Sequence, residues 1–178
     1  PSSKKNAPFV RDLEDWSKVA GGNLFIWDYL ANFRNYIIPH PNINSIAPNI
    51  RLFAKMGVVG VFEQGDALCS IGSFAALRHY LTSHLLWDPN DDEKRLIKEF
   101  LEGYYGKDAG RILEKFIDVI ENGPRKTKQE VRCYHVSCPF LTGGDKLLAM
   151  RLMDEAEAAA HKAGEPYATR VKKERLSV

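Results

Sequence analysis

Two short apolar runs with one helical pattern between them constrain this chain more than any other feature. The first is Leu24-Phe25-Ile26-Trp27-Asp28-Tyr29, and the second is Gly57-Val58-Val59-Gly60-Val61-Phe62-Glu63-Gln64-Gly65-Asp66. Each is rich in β-branched or aromatic residues and turns polar only at its carboxyl end, which is how a buried parallel strand reads. Between them Ile46, Ile50 and Phe53 share one helical face, with Asn44 or Ser45 placed to cap its start and Gly57 to stop its end. Strand, helix and strand in that order predict a parallel crossover unit. Ligands of α/β folds sit outside the carboxyl ends of such strands. The candidates for a site are therefore Asp28, Tyr29, Glu63, Gln64 and Asp66.

Two parallel strands leave unpaired edges and bury too little apolar surface to form a sheet unaided. The remaining strands are expected in another part of the same polypeptide. A chain of 178 residues, 44% hydrophobic and 27% charged, is long enough for one sizeable core. The reading divides it into strand–helix units over 1–86 and a helical region over 87–178, the last apolar face only begun where the chain ends. The net charge of +2 is spread over interspersed residues, with no basic stripe beyond Arg170-Val171-Lys172-Lys173, so nucleic acid is not an expected partner. Nor is a membrane, because no apolar run approaches the ~20 residues that span a bilayer. The chain starts with Pro1, without Met, so the lack of an apolar leader says little about compartment. Cys69, Cys133 and Cys138 lack zinc-site spacing; Cys133 and Cys138 could pair, but buried free thiols fit better.

The flanking segments read as helices and loops. Asn6 and Pro8 open a helix with Phe9, Leu13, Trp16 and Val19 on one stripe, stopped at Gly21-Gly22. Residues 30–42 fit neither period, and Pro39 and Pro41 exclude a regular helix, so an ordered loop rich in aromatics leaves the first strand. Past Asp66, a helix from Ser73 runs to the turn at Trp87-Asp88-Pro89-Asn90, where Trp87 anchors the chain. Asp91 or Asp92 caps the next, Gly106 closes it, and Asp108 opens a third that Asn122-Gly123-Pro124 breaks. A polar connection over 125–144 then leads to a long helix capped by Asp145 and ended or kinked by Gly164 and Pro166.

Several of these segments together resemble a known family: Phe25-Ile26-Trp27-Asp28-Tyr29, Pro39-His40-Pro41-Asn42, Gly57 to Gly65, Leu85-Leu86-Trp87-Asp88-Pro89 and Glu99 to Gly106. They are similar to a bacterial glycoside-hydrolase-like family, long catalogued as a domain of unknown function and abundant in gut glycan degraders. The resemblance covers roughly residues 9 to 178. It implies a (β/α)8 barrel of the TIM type followed by helices, related to endo-β-N-acetylglucosaminidases. On that implication the chain holds the last two βα units of the barrel and the helical region behind them. The resemblance also implies an oligosaccharide or glycan substrate, no cofactor, and a secreted, periplasmic or cell-surface setting. It places the main acidic pair of hexosaminidase-type barrels on an earlier strand, outside this sequence.

Cleaving such a glycan needs a carboxylic acid that protonates the glycosidic oxygen. It also needs a second group, a carboxylate or the substrate's own acetamide, to stabilise the oxocarbenium-like centre. Within this chain the expected catalytic residues are Glu63 and Asp28. Glu63 ends its strand and is suited to serve as an acid or base or to bind sugar hydroxyls as an acceptor, and Asp28, with the Tyr29 hydroxyl, is suited to orienting an acetamide. Trp27, Tyr29, Tyr36 and Gln64 are the expected substrate-binding residues. Strand alternation puts Trp27 and Tyr29 on one side and Asp28 on the other until the strand ends, so not all three are expected to reach the site. Each residue also has an ordinary structural reading: Glu63 as a turn cap, Trp27 as core packing and Tyr36 as packing that holds its loop down. His40 reads as a surface or loop-packing residue, and His79 and His84, on an apolar helix stripe, as satisfied core or interface residues. Two other functions stay open, a non-catalytic carbohydrate-binding or scaffold domain, and a helical interaction module whose strands complete another protein's sheet.

Overall fold

The computed structural model describes residues 4–178. Helix α1 (Ala7–Val19) carries Pro8 in its first turn, where the missing N–H costs nothing, while Asn6 makes no side-chain cap. Its predicted stripe is present but largely uncovered: Leu13 is buried, whereas Phe9, Trp16 and Val19 are exposed. Gly21 and Gly22 then turn the chain with positive φ into strand β1 (Leu24–Tyr29).

The aromatic loop leads to α2 (Ile43–Lys55), which ends on Gly57 at φ +72° as expected. Its start differs from the expected Asn44 or Ser45 cap. The first two N–H groups, of Ile43 and Asn44, donate to the two carboxylate oxygens of Glu121 at 2.9 and 3.2 Å, so the cap comes from a distant helix. Asn42, in the cap position, turns its side chain elsewhere: its amide donates to the Leu30 carbonyl and its oxygen accepts from Arg78.

Strand β2 (Val58–Gln64) pairs parallel to β1, with Trp27 opposite Phe62, Asp28 opposite Glu63 and Tyr29 opposite Gln64. An irregularity between Leu24 and Phe25 leaves Val59 without a partner and sets this register. The described residues form one sheet of these two strands, so the chain is a mixed α/β fold dominated by helix.

Helices α3 (Ala75–Trp87), α4 (Glu93–Tyr105), α5 (Lys107–Thr127), α6 (Gly143–Ala163) and α7 (Tyr167–Glu174) follow. Asp92 caps α4 by accepting from the Lys94 and Arg95 N–H groups. Helix α3 starts later than Ser73, because Phe74 takes a left-handed conformation with φ +49°. Trp87 anchors nothing at the end of α3: it is 92% exposed. Helix α5 runs through Asn122-Gly123-Pro124 to Thr127 instead of breaking there. Gly123 lies against the Phe140 carbonyl, which a Cβ would approach to 2.6 Å, and the Thr127 hydroxyl donates back to the Gly123 carbonyl. That packing outweighs the one backbone hydrogen bond that proline removes. Thr142 caps α6 and Asp145, in the third helical position, completes a capping box with it.

The core is one cluster built mostly from helices, with Leu77, Leu81 and Leu85 of α3, Leu96 and Tyr105 of α4, Leu113 and Phe116 of α5, and Met153 and Ala156 of α6. No residue of β1 or β2 is fully buried. All three cysteines are half-buried free thiols.

Candidate functional site

The two faces of the small sheet carry different chemistry. Phe25, Trp27 and Tyr29 alternate on the exposed face of β1, and the Phe25 ring lies over Gly60, where a Cβ would come within 2.5 Å. Trp27 meets Phe62 edge-on at 4.9 Å between ring centroids, and its indole N–H donates to Gln64 Oε1 at 2.8 Å. This face stays open to solvent, with Phe25 71%, Trp27 64% and Phe62 57% exposed.

Asp28 and Glu63 occupy the opposite, partly covered face. Asp28 Oδ1 accepts from the Tyr29 N–H at 2.8 Å, and its Oδ2 accepts from the Asn49 amide of α2 at 3.3 Å. Glu63 is its cross-strand neighbour. One Glu63 oxygen, Oε2, is buried without a hydrogen-bond partner. Burial first, and then the Asp28 charge, raises the Glu63 carboxyl from an ordinary 4.5 to about 7. Two adjacent carboxyl groups at strand ends, one of them holding its proton near neutrality, can act as an acid beside an anion.

The raised value has a consequence for stability. Between about pH 4.5 and 7 the folded chain keeps a proton that the unfolded chain releases, so this group's contribution to stability falls as pH rises through that window. Glu63→Gln should therefore raise the urea midpoint relative to the native chain at pH 8, and change it little at pH 4. Equal shifts at the two pH values would refute the assignment.

An aromatic line extends from the end of β1. Tyr29 contacts Phe33 at 5.1 Å between centroids, and Phe33 in turn contacts Tyr36 and Tyr134, each at 5.9 Å. Tyr134 belongs to the connection between α5 and α6. Its segment is held on the loop by the Phe33 N–H donating to the Cys133 carbonyl at 2.7 Å and the Asn32 amide donating to the His135 carbonyl at 2.8 Å. Nothing local marks Tyr134, whose partner is a hundred residues earlier. A cleft of about 490 Å³ follows β1, lined by every residue from Phe25 to Tyr29 together with Phe9 and Asn49, and by no β2 residue, so it lies along the free edge of that strand.

His40 packs inside the loop: it is buried, stacks on His135 and is pushed down to about 3 by burial and by Arg78. A neutral ring that weakly basic is no general base at neutral pH. His79 and His84 are not core residues as expected but exposed on α3, because the buried stripe of that helix runs through Leu77, Leu81 and Leu85; His79 lies over Gly65 and His84 against the Tyr80 ring.

The loops leaving both strands are joined by Arg78 of α3, which is buried. Its guanidinium donates to Asn42 Oδ1 at 2.8 Å, to the His40 carbonyl at 2.7 Å and to the Ser73 carbonyl. Around it lie the charges of Glu121, Asp66 and Glu174. Glu174 of α7 accepts from the Phe74 N–H and from the Tyr105 hydroxyl, both at 2.7 Å, which fixes the left-handed Phe74 and the end of the β2 loop. Sequence reasoning missed this cluster, although its signal was present: Arg78, Glu121 and Glu174 each fall at three or four residues from apolar core positions on their own helices.

Among the described residues no three His, Cys, Asp or Glu side chains are grouped to hold a metal ion, and no helix is long and apolar enough to cross a membrane. No curated protein and no solved structure matches the chain. Residues 1–118 match a family described as a domain of unknown function, DUF4838. That match covers about two thirds of the 178 residues, and the chain belongs to the DUF4838 family.

Proposed function

We propose that the chain supplies one wall of the sugar-binding cleft of a glycoside hydrolase, secreted or periplasmic, that acts on N-acetylhexosamine-containing glycans. The observation that carries this reading is the Glu63–Asp28 pair at the carboxyl ends of two adjacent parallel strands, with Glu63 raised to about 7 and one of its oxygens unpartnered. An acid that keeps its proton at neutral pH can deliver it to a glycosidic oxygen as the bond breaks. A neighbouring anion, Asp28, or an acetamide that Asp28 orients, stabilises the positive centre left on the sugar. Trp27 and Tyr29, on the other face of the sheet from the acid pair, and Tyr36 of the loop present ring faces and edges of the kind that sugars stack on. The glycan would therefore cross the strand ends from one face to the other, and Gln64, held by the Trp27 indole, adds a polar contact there.

In this reading the two strands are the last of a (β/α)8 barrel, and the rest of the polypeptide supplies the others. The open edge of β1 and the uncovered stripe of α1 support it, since each is a surface that such strands and helices would cover. The test is to incubate the full-length polypeptide with N-acetylhexosamine oligosaccharides and follow the products by chromatography. Hydrolysis is expected from the complete protein and none from residues 1–178 alone. Binding without turnover in the complete protein would favour a non-catalytic carbohydrate-binding domain, and the absence of both would overturn the proposal.

A further inference from the structure

We propose that the connection between α5 and α6 carries a subsite for an acidic sugar unit, in which Lys128 and Arg132 meet a carboxylate or sulfate on a ring stacked at Tyr134. The inference rests on the carbohydrate reading of the strand-end site and names the class of glycan it takes. The aromatic line Tyr29–Phe33–Tyr134 runs without a break from the end of β1 to this connection. Where it arrives, Tyr134 is 61% exposed and lines an open recess of about 720 Å³ with Lys128 and Arg132. A recess of that size falls within the range of small-ligand sites, about 300–1,000 Å³.

The charge in the recess is unbalanced. Its one carboxylate, Glu130, is engaged by the Lys5 ammonium. Lys128 and Arg132 make no ion pair among the described residues. His135 does little to offset or reinforce them: burial lowers its basicity and outweighs the opposing effect of its hydrogen bond to the Ser137 carbonyl, and its other ring nitrogen faces His40. A guanidinium fork matches the two oxygens of a carboxylate or sulfate, and an ammonium beside it adds a second donor set. The backbone under these residues is pinned to the loop of β1 through Cys133 and His135, so the subsite keeps its distance from the strand-end pair.

The experiment is calorimetric titration of the full-length polypeptide, at low salt and with every protein carrying Glu63→Gln so that glycan is bound without turnover, with three oligosaccharides that share a neutral N-acetylhexosamine core. One is unmodified, one carries a uronic acid and one carries a sulfate ester. Both acidic glycans are expected to bind about fivefold to tenfold more tightly than the neutral one, and added salt should erase the difference. The larger of the two preferences identifies the group. The double variant Lys128→Gln/Arg132→Gln should bind all three with the native protein's affinity for the neutral glycan, whereas Trp27→Ala should weaken all three alike. Equal native affinities, or a preference that survives in the double variant, would overturn the subsite and leave the carbohydrate reading standing. If none of the three binds, both fall.

Discussion

Replacing Arg78 with methionine is expected to cost about 3–5 kcal/mol of folding stability at pH 8, the cost of removing one partner from a buried charge cluster. The guanidinium donates to one amide oxygen and two carbonyls, and three carboxyl groups, of Glu121, Asp66 and Glu174, feel its charge. Methionine fills most of the space but leaves those oxygens without a donor and those carboxyls without a cation. Glu121 and Glu174 already sit above the ordinary carboxylate range because of burial, and removing Arg78 pushes them further up. The variant's folded state then binds protons that the unfolded state releases, so the loss should shrink as pH falls from about 8 toward 5. Urea denaturation at the two pH values separates this from a packing defect, which would cost the same at both. A loss below about 1 kcal/mol, or one independent of pH, would show that the cluster does not hold the strand-end loops.

Much of what positions the site is written locally. The two apolar runs become parallel strands because their β-branched and aromatic residues suit a pleated surface, and Gly57 stops the helix between them because it can take positive φ. The alternation that separates Trp27 and Tyr29 from Asp28 follows from the period of two. What was not legible is supplied by contacts across long sequence distances. Helix α2 is capped by a carboxylate that lies seventy-eight residues later, so no residue near its start carries the sign. Pro124 reads as a stop, but the packing of Gly123 on the Phe140 carbonyl carries α5 through it. The aromatic line ends in a segment with no periodicity at all, and only the Asn32 and Phe33 hydrogen bonds bring Tyr134 into it. Arg78 is the intermediate case: its helical spacing marks it as buried, but its acceptors and the surrounding carboxylates come from four other parts of the chain, the loops after β1 and β2 and helices α5 and α7.

The largest functional effect is expected at Glu63. On the proposed glycosidase reading, Glu63→Gln in the full-length polypeptide should lower kcat on an N-acetylhexosamine glycan by about 10²–10⁴-fold, the usual contribution of a positioned general acid, with KM changed much less. Asp28→Asn should also lower kcat, and it should bring the Glu63 carboxyl down toward its ordinary value, because the Asp28 charge is the second cause of its elevation after burial. The alkaline limb of the pH–rate profile, which reports loss of the acid's proton, should therefore move to lower pH in Asp28→Asn from its native position near 7. The same Glu63→Gln change is expected to stabilise the fold at alkaline pH, so one substitution should improve folding and abolish turnover. Such opposition marks a group held in an unfavourable state for its chemistry, and a turn-capping Glu63 would lose on both counts or on stability alone. Turnover that survives both substitutions unchanged would remove the pair from the site and move the acid to another strand of the sheet.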